Sequence, residues 1–85
     1  MSRLQGPLLF ATVAPYFAQI DELAAGGTLD LGAITQCDSA GAALLLELQR
    51  CAQKKGSSLR FINAPRQLRE LVEFFGIGSL LDLAE

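Results

Sequence analysis

The run Leu29-Asp30-Leu31-Gly32-Ala33-Ile34-Thr35-Gln36-Cys37-Asp38-Ser39-Ala40-Gly41-Ala42-Ala43-Leu44-Leu45-Leu46 decides how this chain folds, because within it the hydrophobic spacing changes from that of a strand to that of a helix. Thr28-Leu29-Asp30-Leu31 alternates polar and apolar residues as a half-buried central strand does. Ile34 adds one inward anchor before a loop expected at Thr35-Gln36-Cys37-Asp38. A helix is predicted from Asp38 or Ser39 to Lys55. Gly56 lies just past its last turn, and Lys54-Lys55 complement the negative end of its dipole. At about 100° per residue, Leu44, Leu45, Leu48, Cys51 and Ala52 share one face, which is the core face. Ala42, Leu46, Gln49 and Gln53 then form a stripe on the outer face.

Upstream, Gly6-Pro7 followed by Leu8-Leu9-Phe10 reads as a short strand leading into a turn. Thr12 can cap a helix that carries Val13, Phe17, Ile20 and Ala24 on one side, with Pro15 in its first turn and Gly26-Gly27 as its end. Downstream, Leu59 and Phe61 alternate with Arg60 in another strand. Asn63-Ala64-Pro65 opens a helix expected to bury Leu68, Leu71, Val72 and Phe75 before Gly76 stops it, and Ile77 to Leu83 is a short apolar closing element. Strands alternating with helices imply crossovers, parallel pairing and helices packed on a sheet. The expected architecture is one α/β domain over residues 1–85, with no internal repeat or linker.

Seven basic and nine acidic side chains give a formal charge of −2, so there is no polybasic surface for nucleic acid. The apolar run around Ala42 to Leu46 is far shorter than the roughly 20 residues that cross a bilayer. The segment Met1 to Pro7 lacks the features of a secretory signal, and a cytoplasmic protein is expected. Cys37 and Cys51, without a C-x-x-C or any histidine, suggest reduced structural thiols, and neither a metal site nor a cofactor is implied.

A catalytic serine needs a base, and the sequence holds no histidine to serve Ser39. Asp30 and Asp38 could both lie near the end of the central strand, where acid/base groups or magnesium are often held, but Asp38 more simply caps the helix or orders the loop. The glycines match no phosphate-binding loop. Asp38-Ser39-Ala40-Gly41 places a hydroxyl at a helix start beside residues too small to shield it. Ser39 reads either as an ordinary N-cap or as a group that a partner can reach, where a phosphate would meet unpaired N–H groups. Leu46 on the outer stripe would anchor a partner helix. Arg66, Arg69, Glu70 and Glu73 read as a solvated face.

The run from Leu29 to Gly41 with Ala43-Leu44-Leu45-Leu46 resembles the signature of STAS domains. The segments Lys54-Lys55-Gly56, Leu59 to Pro65, and Leu68, Leu71 and Gly76-Ile77 extend the likeness over almost the whole chain. The resemblance implies a mixed β-sheet with helices mainly on one side, and no enzyme activity. In one branch of that family, the anti-sigma factor antagonists, the serine matching Ser39 is phosphorylated by an anti-sigma factor kinase, which breaks their complex. In the MlaB-like branch a short STAS protein binds the ATPase subunit of a phospholipid ABC transporter at the cytoplasmic face of the inner membrane, with the same position at the interface.

The D-S-A-G-A-A-L-L-L-E-L run and the Arg60 to Pro65 strand ending look more like the second branch. The expected partner-binding residues are Asp38, Ser39, Ala40, Gly41, Ala42, Leu46 and Gln49. Family members normally carry a further strand before the segment matching Leu4 to Phe10. That strand is expected to be missing or truncated here, leaving a sheet edge through which a homodimer could form.

Overall fold

The computed structural model describes residues 2–25 and 27–84. Three strands, β1 (Ser2–Leu8), β2 (Thr28–Cys37) and β3 (Arg60–Ile62), form a sheet of order β1-β2-β3. Both pairings are parallel, so the mixed pairing implied by the resemblance is not found among the described residues. Two short helices, α1 (Ala14–Ala18) and α2 (Ile20–Ala24), link β1 to β2. The long helix α3 (Ser39–Lys54) links β2 to β3, and α4 (Arg66–Phe74) and a 3₁₀ turn (Gly78–Leu80) follow.

The central strand is longer than expected, and its register explains why. Arg3 and Gln5, two residues apart, pair with Asp30 and Ala33, three apart, while the neighbours Gly6 and Pro7 pair with Ile34 and Gln36. Each shift puts one extra residue into β2, a β-bulge, so its inward positions fall at Leu29, Leu31, Ile34 and Cys37 instead of at every second residue. The expected loop from Thr35 is therefore strand up to Cys37. At the first bulge the Asp30 carboxylate accepts from the Gly32 N–H (2.8 Å) and from Asn63 Nδ2 (3.2 Å), which holds its carboxyl below the ordinary range.

The strand at the start of the chain is also displaced from its expected place. β1 ends at Leu8, and Leu9 to Thr12 form a turn in which the Thr12 hydroxyl donates to the Pro7 carbonyl (2.8 Å) and accepts from the Leu9 N–H (2.9 Å). Thr12 thus closes the turn and does not cap a helix. The single helix expected after it is broken at Gln19, and Phe17 is exposed; Tyr16 packs inward in its place and donates its Oη to the Gln5 carbonyl at 2.8 Å. Gly26, read as part of the helix end, lies outside the described residues.

One core lies on the inner face of the sheet, where Leu4, Leu8, Leu29, Leu31, Leu59 and Phe61 meet Leu44, Leu45, Leu48, Ala52, Leu68 and Val72 from α3 and α4. Arg3, Gln5, Pro7, Thr35, Gln36 and Arg60 are exposed, so the other face is open and polar. The outer edge of β3 is covered, since the Phe61 N–H donates to the Asp82 carbonyl and its C=O accepts from the Ala84 N–H, each at 2.8 Å. The outer edge of β1 is blunted at one end by Gly6 at a φ of 74°, by Pro7 and by the Tyr16 bond to Gln5.

Candidate functional site

The start of α3 is built by Asp38. Its backbone is extended, its own N–H donates to the Leu8 carbonyl (3.2 Å), and its Oδ1 accepts from the Ala40 N–H (2.9 Å), so Asp38 is the N-cap. Its second oxygen, Oδ2, accepts from the backbone N–H of Phe10 at 3.0 Å. That bond, opposed by desolvation and helped by the Ala40 N–H, holds the Asp38 carboxyl below its ordinary value. Ser39 is the first helical residue and is exposed, so reading it as the N-cap was wrong by one position.

The next residues sit deeper. Ala40 is half-buried against the core. Gly41 is buried where α3 crosses the end of β1, and a Cβ there would lie 2.9 Å from the Leu8 carbonyl oxygen and 3.3 Å from the Cys37 Cβ. Ala42 and Gln49, expected on the outer stripe, are buried, and Leu46 is half-buried. Two grooves on that side of α3 are lined jointly by α3 and by residues from the end of α4 through the 3₁₀ turn, which lie along it. The first, of about 280 Å³, is lined by Ser39, Ala42, Ala43, Leu46, Phe75 and Ile77. The second, of about 350 Å³, shares Leu46 and continues past Gln49 and Gln53 to Ser79 and Leu80. Sequence periodicity reports one helix alone and does not show that a second element lies on its flank.

Gln49 is 9% exposed, and its Oε1 has no hydrogen-bond partner. Phe75, expected in the core, is 45% exposed and stacks edge-on with Phe74, their centroids 5.4 Å apart. Phe75 is the residue after the last helical turn of α4, so the helical periodicity that assigned it to the core ends at Phe74. Phe10 was missed as a surface residue because Leu8-Leu9-Phe10 looks like one apolar run, yet it is 85% exposed.

The acid/base alternative does not assemble. Asp30 and Asp38 are eight positions apart along an extended segment, roughly 25 Å at the usual rise, and each carboxylate is held by different N–H groups. Among the described residues, no group of three or more His, Cys, Asp or Glu could hold a metal ion. Cys37 and Cys51 are free thiols. Burial pushes the Cys37 pKa up, and for Cys51 the main cause is its hydrogen bond to Asp21 Oδ1 at 3.3 Å.

The chain belongs to the STAS domain family: the family model described as "Mlab, STAS domain" matches residues 3–82. Its structure is similar to that of the anti-sigma factor antagonist SpoIIAA in its unphosphorylated form, with a TM-score of 0.72 and 24% identity, over 98% of this chain and 76% of that one. That likeness shows the fold. The comparison with curated proteins returns no match. No helix among the described residues is long and apolar enough to cross a membrane.

Proposed function

We propose that this STAS domain is a non-catalytic accessory subunit that binds the ATPase of a phospholipid ABC transporter through the surface around Ser39. The observation that carries this reading is the match of the MlaB-type family model to residues 3–82. The geometry supports it: the exposed Ser39 lies on the rim of an apolar groove formed by Ala42, Ala43, Leu46, Phe75 and Ile77. Asp38, Ala40 and Gly41 act in this reading by shaping the helix start, and Ala42 by forming the groove floor. Leu46 contributes a wall shared with the second groove, and Gln49 lines that second groove. The subunit works in the cytoplasm and reaches the membrane only through its partner.

The experiment is co-expression with the transporter ATPase of the same organism, followed by size-exclusion chromatography. Co-elution in a fixed ratio is expected; separate elution rejects the reading, as does ATP hydrolysis by the purified chain alone. A homodimer through β1 would have to use the Ser2 to Leu4 end of that edge, since the other end is blunted. It would show as a doubled mass in the same experiment.

A second reading is favoured by one observation, the exposed hydroxyl at the positive end of α3. In it the protein is an anti-sigma factor antagonist phosphorylated on Ser39. Incubation with ATP and an anti-sigma factor kinase from the same organism would then add one phosphate, at Ser39.

A further inference from the structure

The turn at residues 9–12 presents Phe10 almost wholly to solvent, yet its backbone is tied by several hydrogen bonds. The Thr12 N–H (2.8 Å) and Val13 N–H (2.9 Å) both donate to the Leu9 carbonyl, the Thr12 hydroxyl bonds to Pro7 and Leu9, and Asp38 Oδ2 accepts from the Phe10 N–H. The carboxylate that caps α3 therefore also fixes Phe10 beside the helix start that carries Ser39. A lone exposed apolar side chain is ordinary on any protein. A phenyl group on a pre-ordered backbone next to an interaction surface differs from that, because the backbone that carries it has little freedom left to lose on binding and aromatic residues dominate binding hot spots.

We infer that Phe10 is an anchor of the Ser39 surface, inserted into an uncharged apolar pocket of the partner, and that Asp38 is its positioning residue. The inference rests on the partner-binding reading given above. The pocket is uncharged because Phe10, Ala11, Ser39, Ala43 and Phe75 are exposed and neutral, and the one charge beside them, the Asp38 carboxylate, already has both oxygens held by backbone N–H groups. An anion brought against this surface would lose water and meet the like charge of Asp38, and a cation would lose water to meet a carboxylate whose oxygens are already bonded.

Asp38→Asn separates the two duties of Asp38. Asparagine caps helices about as well as aspartate, so its oxygen keeps the Ala40 bond, while its NH₂ group faces the Phe10 N–H and loses that one. The test is titration calorimetry of the full chain against the purified transporter ATPase, with thermal melts alongside. Phe10→Ala should weaken binding at least tenfold with an unchanged melting temperature. Asp38→Asn should weaken it severalfold in the parent and have no effect in the Phe10→Ala background. A parent that binds while Phe10→Ala binds within twofold of it overturns the anchor and leaves the proposed function standing. An equal Asp38→Asn loss in both backgrounds overturns the positioning role. A parent that does not bind the ATPase overturns the proposed function and this inference together.

Discussion

Gly41 lies against Leu8 so closely that a Cβ at position 41 would sit 2.9 Å from the Leu8 carbonyl oxygen and 3.1 Å from its Cβ. The same carbonyl accepts the Asp38 N–H, so the end of β1 and the start of α3 are fastened together at this point. Alanine is a better helix former than glycine by about 1 kcal/mol, but the obstructing atoms belong to the backbone and Cβ of a sheet strand, and overpacking costs about 1–3 kcal/mol. Gly41→Ala is expected to lower the melting temperature by several degrees, since about 1 kcal/mol shifts a domain of this size by about 4–8 °C. A higher melting temperature would mean that α3 stands further from β1.

Gln49 leads to a prediction of the opposite sign. Its Oε1 is buried with no donor, and an unsatisfied buried polar atom costs about 1–3 kcal/mol. Gln49→Met keeps the side chain's length without that atom and is expected to raise the melting temperature, whereas Gln49→Ala, which leaves a cavity, is expected to lower it. Were Gln49 on the outer face of α3, both changes would stay within about 0.5 kcal/mol. Chemical denaturation of the two variants decides between the placements.

This residue also shows how much of the molecule was legible in advance. Apart from the break at Gln19, the element order, the central place of β2, the limits of α3 and its Leu44, Leu45 and Leu48 face follow from local spacing, and the structure contains them. What local spacing could not show was set by elements distant in sequence. Two bulges, visible only against β1, turned the spacing of the inward positions of β2 after Leu31 from two into three, and the 75–80 segment lies along the side of α3 that carries Ala42 and Gln49. At the site, Asp38 was read as a helix cap or a loop-ordering residue and does both, whereas Ser39, also read as an N-cap, is the first helical residue. Phe10, 28 residues away in sequence, could not be linked to Asp38 without the fold.

Acid should weaken the fold, and neutral pH should leave it untouched. The carboxyls of Asp21, Asp30, Asp38 and Glu47 are all held below their ordinary values, chiefly by the Cys51 thiol, the Gly32 N–H, the Phe10 N–H and Arg50 respectively. A folded-state pKa below the unfolded one contributes stability that is present above the unfolded value, 3.8 for aspartate, and is lost as pH falls through the folded value. With no histidine in the chain, denaturation midpoints should be flat from about pH 5 to 8 and fall below about pH 4. Asp38→Asn should make that acid limb shallower; an unchanged limb would show that its carboxylate is not held by Phe10 and Ala40.

Ser39 and Asp38 can be told apart by substitution, because one caps α3 and the other only begins it. Ser39→Ala removes no cap and places a good helix former at an exposed position, so stability should stay within about 0.5 kcal/mol of the parent. Asp38→Ala removes the cap and the bond to Phe10, and caps alone are worth about 1 kcal/mol, so it should lower the melting temperature clearly. Ser39→Asp puts a negative charge at the favourable end of the helix dipole but next to the Asp38 carboxylate. These effects oppose each other, and the fold should change by no more than about 1 kcal/mol. Binding should respond differently. If the apolar groove beside Ser39 packs against a partner, the added carboxylate must lose its water there without a counter-ion, which commonly costs several kcal/mol, whereas about 1.4 kcal/mol already weakens binding tenfold. Thermal melting and titration against the transporter ATPase should therefore show Ser39→Asp folded but at least tenfold weaker in binding, and Ser39→Ala near the parent in both. If Ser39→Asp binds as tightly as the parent, the partner does not cover this end of α3, and the interface must be sought on another face of the domain.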